Sequence, residues 1–145
     1  MEGLYARRNV RPFLNKLRMP SFSPSLLIWS FIGAGYYVIC FTVLYRLFRL
    51  EGDSALRTLA LVLLLVVMLL NAIWNYTFFR KENLQSSFVL LLVYGAFAIG
   101  LFVCLTAVDR ITAIVFLPYL IYMIYSFRWS YALMRLNPNL GGKTN

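Results

Sequence analysis

Four stretches of this 145-residue chain run for more than twenty residues without an Asp, a Glu or a Lys, at about 25–47, 58–79, 84–107 and 111–133. A helix rises 1.5 Å per residue, so about 20 apolar residues cross the ~30 Å hydrocarbon core of a bilayer. Lipid offers no partner to a backbone N–H or C=O, so such runs must be helical. The connections Arg46–Arg57, Arg80–Asn83 and Ala107–Arg110 are short and force antiparallel neighbours. The expected fold is an all-α integral membrane protein, an antiparallel bundle of four transmembrane helices. Composition agrees: 61% of residues are apolar and 13% charged, against about 45–50% and about 25% in soluble domains. An ordinary water-soluble enzyme and a disordered chain are both excluded. The chain divides into a basic segment and turn (1–24), the bundle (25–136) and a polar tail (137–145).

The 14 Lys and Arg outnumber the 5 Asp and Glu, and there is no His. These charges cluster between the apolar runs, which marks them as topogenic rather than nucleic-acid-binding. Arg7, Arg8, Arg11, Lys16, Arg18, Arg80, Lys81, Arg135 and Lys143 fall on one side of a four-span chain; Arg46, Arg49, Arg57 and Arg110 fall on the other. The imbalance predicts cytoplasmic termini. The N-terminal stretch has no separate apolar region of the signal-peptide kind. It is expected to lie on the membrane surface as a short amphipathic segment, with Phe13, Leu14 and Leu17 toward lipid and Arg11, Lys16 and Arg18 toward headgroups. Pro20 and Pro24 bracket a turn before the first span.

What is polar within the spans narrows the function. Proton-coupled transport usually needs an intramembrane carboxylate, and none is present. No cluster of charged and amide residues suggests a glutathione-using membrane enzyme. Cys40 and Cys104 form no CxxC pair and read as small buried apolar side chains, bridged only if the helices bring them together. Arg128, the one charge set in from the span ends, either snorkels to the interface or meets a ligand or partner. In the second span Asn71, Trp74, Asn75 and Phe78 share one helix face. Two amides in hydrocarbon must be hydrogen-bonded, so this face points inward, either as interhelical glue or as the polar wall of a cavity. The fourth span carries Tyr119, Tyr122 and Tyr125 beside Pro118, which is expected to kink it and free a carbonyl. Gly33, Ala34 and Gly35 in the first span, and Gly95, Ala96 and Gly100 in the third, mark close contacts. Those contacts lie within the bundle, across a homodimer or against a partner helix.

Three blocks together resemble one family. Pro20-Ser21-Phe22-Ser23-Pro24, followed by Ile28-Trp29, is similar to the Pro-Ser-Trp-x-Pro-Pro entry to the second helix of the tryptophan-rich sensory proteins (TspO/MBR, the translocator proteins). Leu69-Leu70-Asn71-Ala72-Ile73-Trp74-Asn75, leading to Phe78-Phe79, resembles that family's third helix. Leu117-Pro118-Tyr119 with Tyr122 and Tyr125, ending near Asn137, resembles its fifth. The likeness covers about residues 13–137. Phe22 stands where Trp is usual, Ser25 where a second Pro is usual, and Tyr122 where the fifth helix usually has Trp. The family has five spans, so its first helix is expected to be missing here or replaced by a surface segment.

The resemblance implies a helical bundle with a hydrophobic cavity open toward the N-terminal turn, and a membrane binding or sensory protein rather than an enzyme. Its ligand would be a small apolar planar molecule of the tetrapyrrole or sterol class. By the same resemblance Trp29, Asn71 and Asn75 would line the pocket and donate hydrogen bonds, and Trp74, Phe78, Tyr119, Tyr122 and Tyr125 would form aromatic walls. No cofactor is required. A bound porphyrin or haem-like tetrapyrrole would be held by stacking and hydrogen bonds, since no His can ligate iron. Sterol-type patterns, Val43…Tyr45…Arg49 and Leu120…Tyr125…Arg128, are the kind that Leu-, Tyr- and Arg-rich membrane chains produce by chance. No nucleophile triad or acid–base pair argues for catalysis. The competing reading is a small interaction subunit of a larger membrane complex, with no ligand of its own.

Overall fold

A computed structural model describes residues 13–50 and 54–138. Among them, a helical turn at 13–16 precedes four long helices: α1 (Leu26–Arg49), α2 (Ala55–Phe79), α3 (Leu84–Val108) and α4 (Arg110–Leu136). All four are long and apolar enough to cross a membrane. The chain is thus an integral, multi-pass helical protein of the lipid bilayer. Each connection is short, so the helices alternate in direction. Neighbours in sequence are neighbours in space, and α1 closes the ring against α4.

Local chemistry sets most of the helix starts. Ser25 accepts a hydrogen bond from the Ile28 amide, Asn83 from that of Ser86 and Asp109 from that of Ile111. These are side-chain oxygens meeting backbone donors that have no partner within the helix. Pro118 does not break α4, which runs unbroken to Leu136 with that residue on its exposed flank.

The core has two parts. The larger holds Val43 and Leu47 of α1, Leu64 and Val67 of α2, Leu101 and Leu105 of α3, and Phe116 and Met123 of α4. The smaller, at the end of the bundle where the N-terminal segment lies, joins Phe13 and Leu17 to Phe78, Leu84, Trp129 and Leu133. Here the structure corrects the expectation of a lipid-facing surface segment. Phe13 is only 1% exposed, and its ring meets that of Phe78 edge-on at 5.5 Å. An apolar stripe beside a membrane can be covered by lipid or by the bundle's own open end, and here the bundle covers it. What precedes residue 13, including any counterpart of the family's first helix, lies outside the described residues, as do 139–145 of the polar tail.

The small residues divide as well. A Cβ on Gly95 would come within 2.4 Å of the Phe127 ring, so this glycine makes a close α3–α4 contact inside the bundle. Gly33, Gly35 and Gly100 have open space around them. Cys40 and Cys104 are both free and buried. The outer surface is a belt of exposed apolar side chains, with Phe31, Phe41 and Phe48 on α1 the most prominent.

Candidate functional site

Between α2, α3 and α4 lies a cavity of about 40 Å³, lined by Asn71, Trp74, Leu91, Tyr94, Tyr119, Tyr122, Met123 and Ser126. Apolar walls come from all three helices, and the polar atoms are amide, indole and hydroxyl groups. Tyr94 and Tyr119 join their hydroxyls in a hydrogen bond across α3 and α4. The Tyr119 ring also packs against Tyr36 of α1 at 5.1 Å and Tyr122 at 6.2 Å. The indole N–H of Trp74 is buried and has no hydrogen-bond acceptor among the described residues.

Of the residues singled out from sequence, Asn71, Trp74, Tyr119 and Tyr122 meet at this cavity. Asn75 does not line it. Its amide turns back along α2 and donates to the Asn71 carbonyl at 2.8 Å, with a longer contact of 3.4 Å to the Asn71 side-chain oxygen. The Asn75 amide is therefore bonded within its own helix, and the Asn71 side chain is left at the cavity wall. Trp29, Phe78 and Tyr125 belong to the aromatic layer at the bundle end instead. Phe78 stacks on Trp74 at 5.0 Å and touches Trp129 at 5.7 Å. Trp29 packs on Trp129 at 5.0 Å and reaches the cavity only through Tyr122, 6.4 Å away. Tyr94, Leu91, Met123 and Ser126 were not read from sequence. Tyr94 precedes Gly95 in a helix that otherwise shows no polar face, and its partner lies twenty-five residues on.

The aromatic layer is tied to the N-terminal segment, which crosses the bundle end as a strap. Tyr125 donates its hydroxyl to the Phe22 carbonyl at 2.9 Å, and the Trp129 indole donates to the Ser23 hydroxyl at 2.8 Å. A turn closed by the Ser23 amide on the Pro20 carbonyl places both acceptors. Asn137, at the end of α4, completes the strap. Its side chain accepts from the Arg18 amide at 2.8 Å and donates to the Arg18 carbonyl at 3.0 Å and the Leu133 carbonyl at 2.9 Å. A side-chain amide thus pairs with a backbone amide as a neighbouring strand would.

At the opposite end, Arg46 of α1 reaches Asp109, the one residue between α3 and α4. Its guanidinium donates to Asp109 at 2.7 and 3.1 Å and to the Thr112 hydroxyl at 3.0 Å, and Thr112 donates to the same carboxylate. Burial alone would push the Asp109 carboxyl up. The Thr112 and Arg46 hydrogen bonds, the Ile111 amide and the Arg46 charge outweigh it and hold the group below the ordinary carboxylate range.

Comparison with known proteins agrees with this architecture. The chain is similar to Protein CrtK of Rhodobacter capsulatus, 23% identical over 124 residues that cover 86% of this chain and 78% of that protein. The model of the TspO/MBR family matches residues 1–135. A match over nearly the whole chain, on a bundle of membrane-spanning helices, makes this protein a member of the TspO/MBR family.

Proposed function

We propose that this chain is a membrane ligand-binding protein of the sensory type, whose site is the α2–α3–α4 cavity and whose ligand is small, planar and largely apolar, of the tetrapyrrole or sterol class. On this reading it works without catalysis and needs no cofactor; a porphyrin or haem-like tetrapyrrole would be its cargo. The observation that carries the reading is the Trp74 indole N–H, buried without an acceptor at the wall of a cavity that also offers Asn71, Tyr122 and Ser126. A buried donor left unpaired costs about 1–3 kcal/mol, which a ligand oxygen would relieve. The surrounding rings supply π faces for a flat molecule.

The cavity's volume sets a condition on the proposal. About 40 Å³ admits one or a few waters, whereas ligand sites run to roughly 300–1,000 Å³. On this reading the walls must part for a ligand of that class to enter. Among neighbouring helices, α1 packs least extensively on α2 and α4, which makes that side the easier one to open. The excess of Lys and Arg beside the termini supports placing both on the cytoplasmic side.

Titration of the detergent-solubilised protein with protoporphyrin, read by tryptophan quenching, tests the proposal. Saturable quenching is expected, and Ser126→Leu, which fills the cavity, should abolish it while leaving the fold intact. Nonsaturable quenching in the wild-type chain, or saturation untouched by Ser126→Leu, would refute the assignment of the site.

A further inference from the structure

Arg128 sets a charge at the end of an apolar stripe. It is exposed on the outward stripe of α4 that includes Ile114, Ile121 and Ile124, the surface that meets lipid. At 1.5 Å per residue it lies about 27 Å along the helix from Arg110, close to the ~30 Å thickness of the hydrocarbon core. Arg110 begins α4 beside the Arg46–Asp109 pair, which marks the opposite edge. Arg128 thus sits at the boundary between lipid tails and headgroups, and α4 continues past it to Leu136.

The next turns of the same stripe carry Tyr131 and Arg135. Tyr131 is half-exposed, packs on Phe88 of α3 at 5.9 Å and holds the Arg135 guanidinium 5.8 Å from its ring centre. Among the described residues the ion pairs are Lys16–Glu82 and Arg46–Asp109, so neither Arg128 nor Arg135 has a carboxylate partner. A guanidinium at the headgroup level meets phosphates there, and its planar fork of donors suits one. Two unpaired cations call for an anion whose charge is not already cancelled by an ammonium of its own.

We propose that Arg128, Tyr131 and Arg135 form a binding site for the headgroup of an anionic phospholipid, whose tails lie along Ile121 and Ile124. Arg128 meets the phosphate, and Arg135, steadied on Tyr131, meets the outer part of the headgroup. This site is on the lipid-facing surface and is independent of the cavity between the helices.

Native mass spectrometry of the full chain, released from bilayers of mixed phosphatidylglycerol and phosphatidylcholine, tests it through the ratio of the two lipids retained. A basic residue at a membrane surface contributes about five-fold to anionic-lipid association. The preference for phosphatidylglycerol should therefore fall about five-fold in Arg128→Gln and further in the double variant with Arg135→Gln. Arg49→Gln, which removes an exposed arginine stacked on Tyr45 at the other end, should leave the ratio unchanged. An unchanged ratio in the double variant, an equal loss in Arg49→Gln, or displacement of the lipid by inorganic phosphate alone would overturn the proposal. Should Arg128→Gln fail to fold, Arg135→Gln alone carries the test, because it lies beyond the hydrocarbon span; its ratio must also fall about five-fold.

Discussion

Asn137→Ala tests whether the strap is held by the hydrogen bonds described here. The wild-type side chain is 8% exposed and makes three bonds, two of which cross to the Arg18 backbone. The third, to the Leu133 carbonyl, stays within α4. Each hydrogen bond contributes about 0.5–1.5 kcal/mol net, so loss of the two crossing bonds should weaken strap closure by about 1–3 kcal/mol. Arg18 is itself exposed, so water can partly replace the lost partner, and the lower half of that range is expected. Amide exchange measured by mass spectrometry or NMR in detergent reads this directly, since about 1.4 kcal/mol is ten-fold in an opening equilibrium. The Ser23 amide, bonded to the Pro20 carbonyl, should exchange roughly ten-fold faster by that scale and the Arg18 amide, whose acceptor is removed, by more, while Leu101 and Leu105 in the core remain unchanged. Asn137→Asp keeps the acceptor for the Arg18 amide but loses both donors, so the Arg18 amide should stay better protected than in the alanine variant. Unaltered exchange at Arg18, or a uniform acceleration through α3, would refute the reasoning, because the first denies the clamp and the second makes it global.

Other expectations follow from the same packing. Phe13→Ala should lower stability by about 3–5 kcal/mol, the usual cost of emptying a buried aromatic site, and a melting temperature unmoved in detergent would return Phe13 to the lipid surface. Gly95→Ala should cost about 1–3 kcal/mol through overpacking on Phe127, and Phe127→Leu introduced with it should restore part of that loss; strictly additive effects in the double-variant cycle would deny the contact. Asp109→Asn should destabilise the bundle by about 1–3 kcal/mol at neutral pH, since it weakens hydrogen bonds to a partly exposed ion pair. Folding favours the ionised Asp109, so this contribution is fully present above the ordinary carboxyl range near pH 4 and is lost as pH falls through the lower folded value. Melting curves of wild type and variant should therefore converge in acid, and a gap that widens there would contradict the assignment.

The bundle was legible in the sequence because bilayer thickness and backbone hydrogen bonding leave an apolar run of twenty residues few alternatives. The candidate site was legible only in part. Helical spacing brought Asn71 and Trp74 to one face, and both line the cavity. The same spacing grouped Asn75 with them, but an amide can return to the carbonyl four residues before it, and periodicity alone does not reveal that choice. Trp29 and Tyr125 were assigned to a pocket wall, whereas the Pro20–Pro24 turn brings backbone across the bundle end and draws Tyr125 to Phe22. Tyr94 was invisible because its significance lies in meeting Tyr119, a pairing set by the packing of α3 on α4. Phe13 and Leu17 showed an amphipathic pattern correctly, but the pattern does not say which apolar medium covers it.

The single residue joining α3 to α4 has a consequence for how the protein can vary. Asp109 ends one helix, begins the next and accepts the Arg46 guanidinium. An inserted residue early in α4 would turn everything beyond it by about 100°. Tyr119 would take the half-buried place of Leu120 and Tyr122 the buried one of Met123, Pro118 and Ile121 would turn to the cavity wall in their stead, and Trp129 would leave Ser23. Chain length at this junction therefore sets which side chains of α4 face the other helices. Related sequences should tolerate many substitutions among the outward apolar side chains of α4 while keeping the count from Asp109 to Trp129 unaltered.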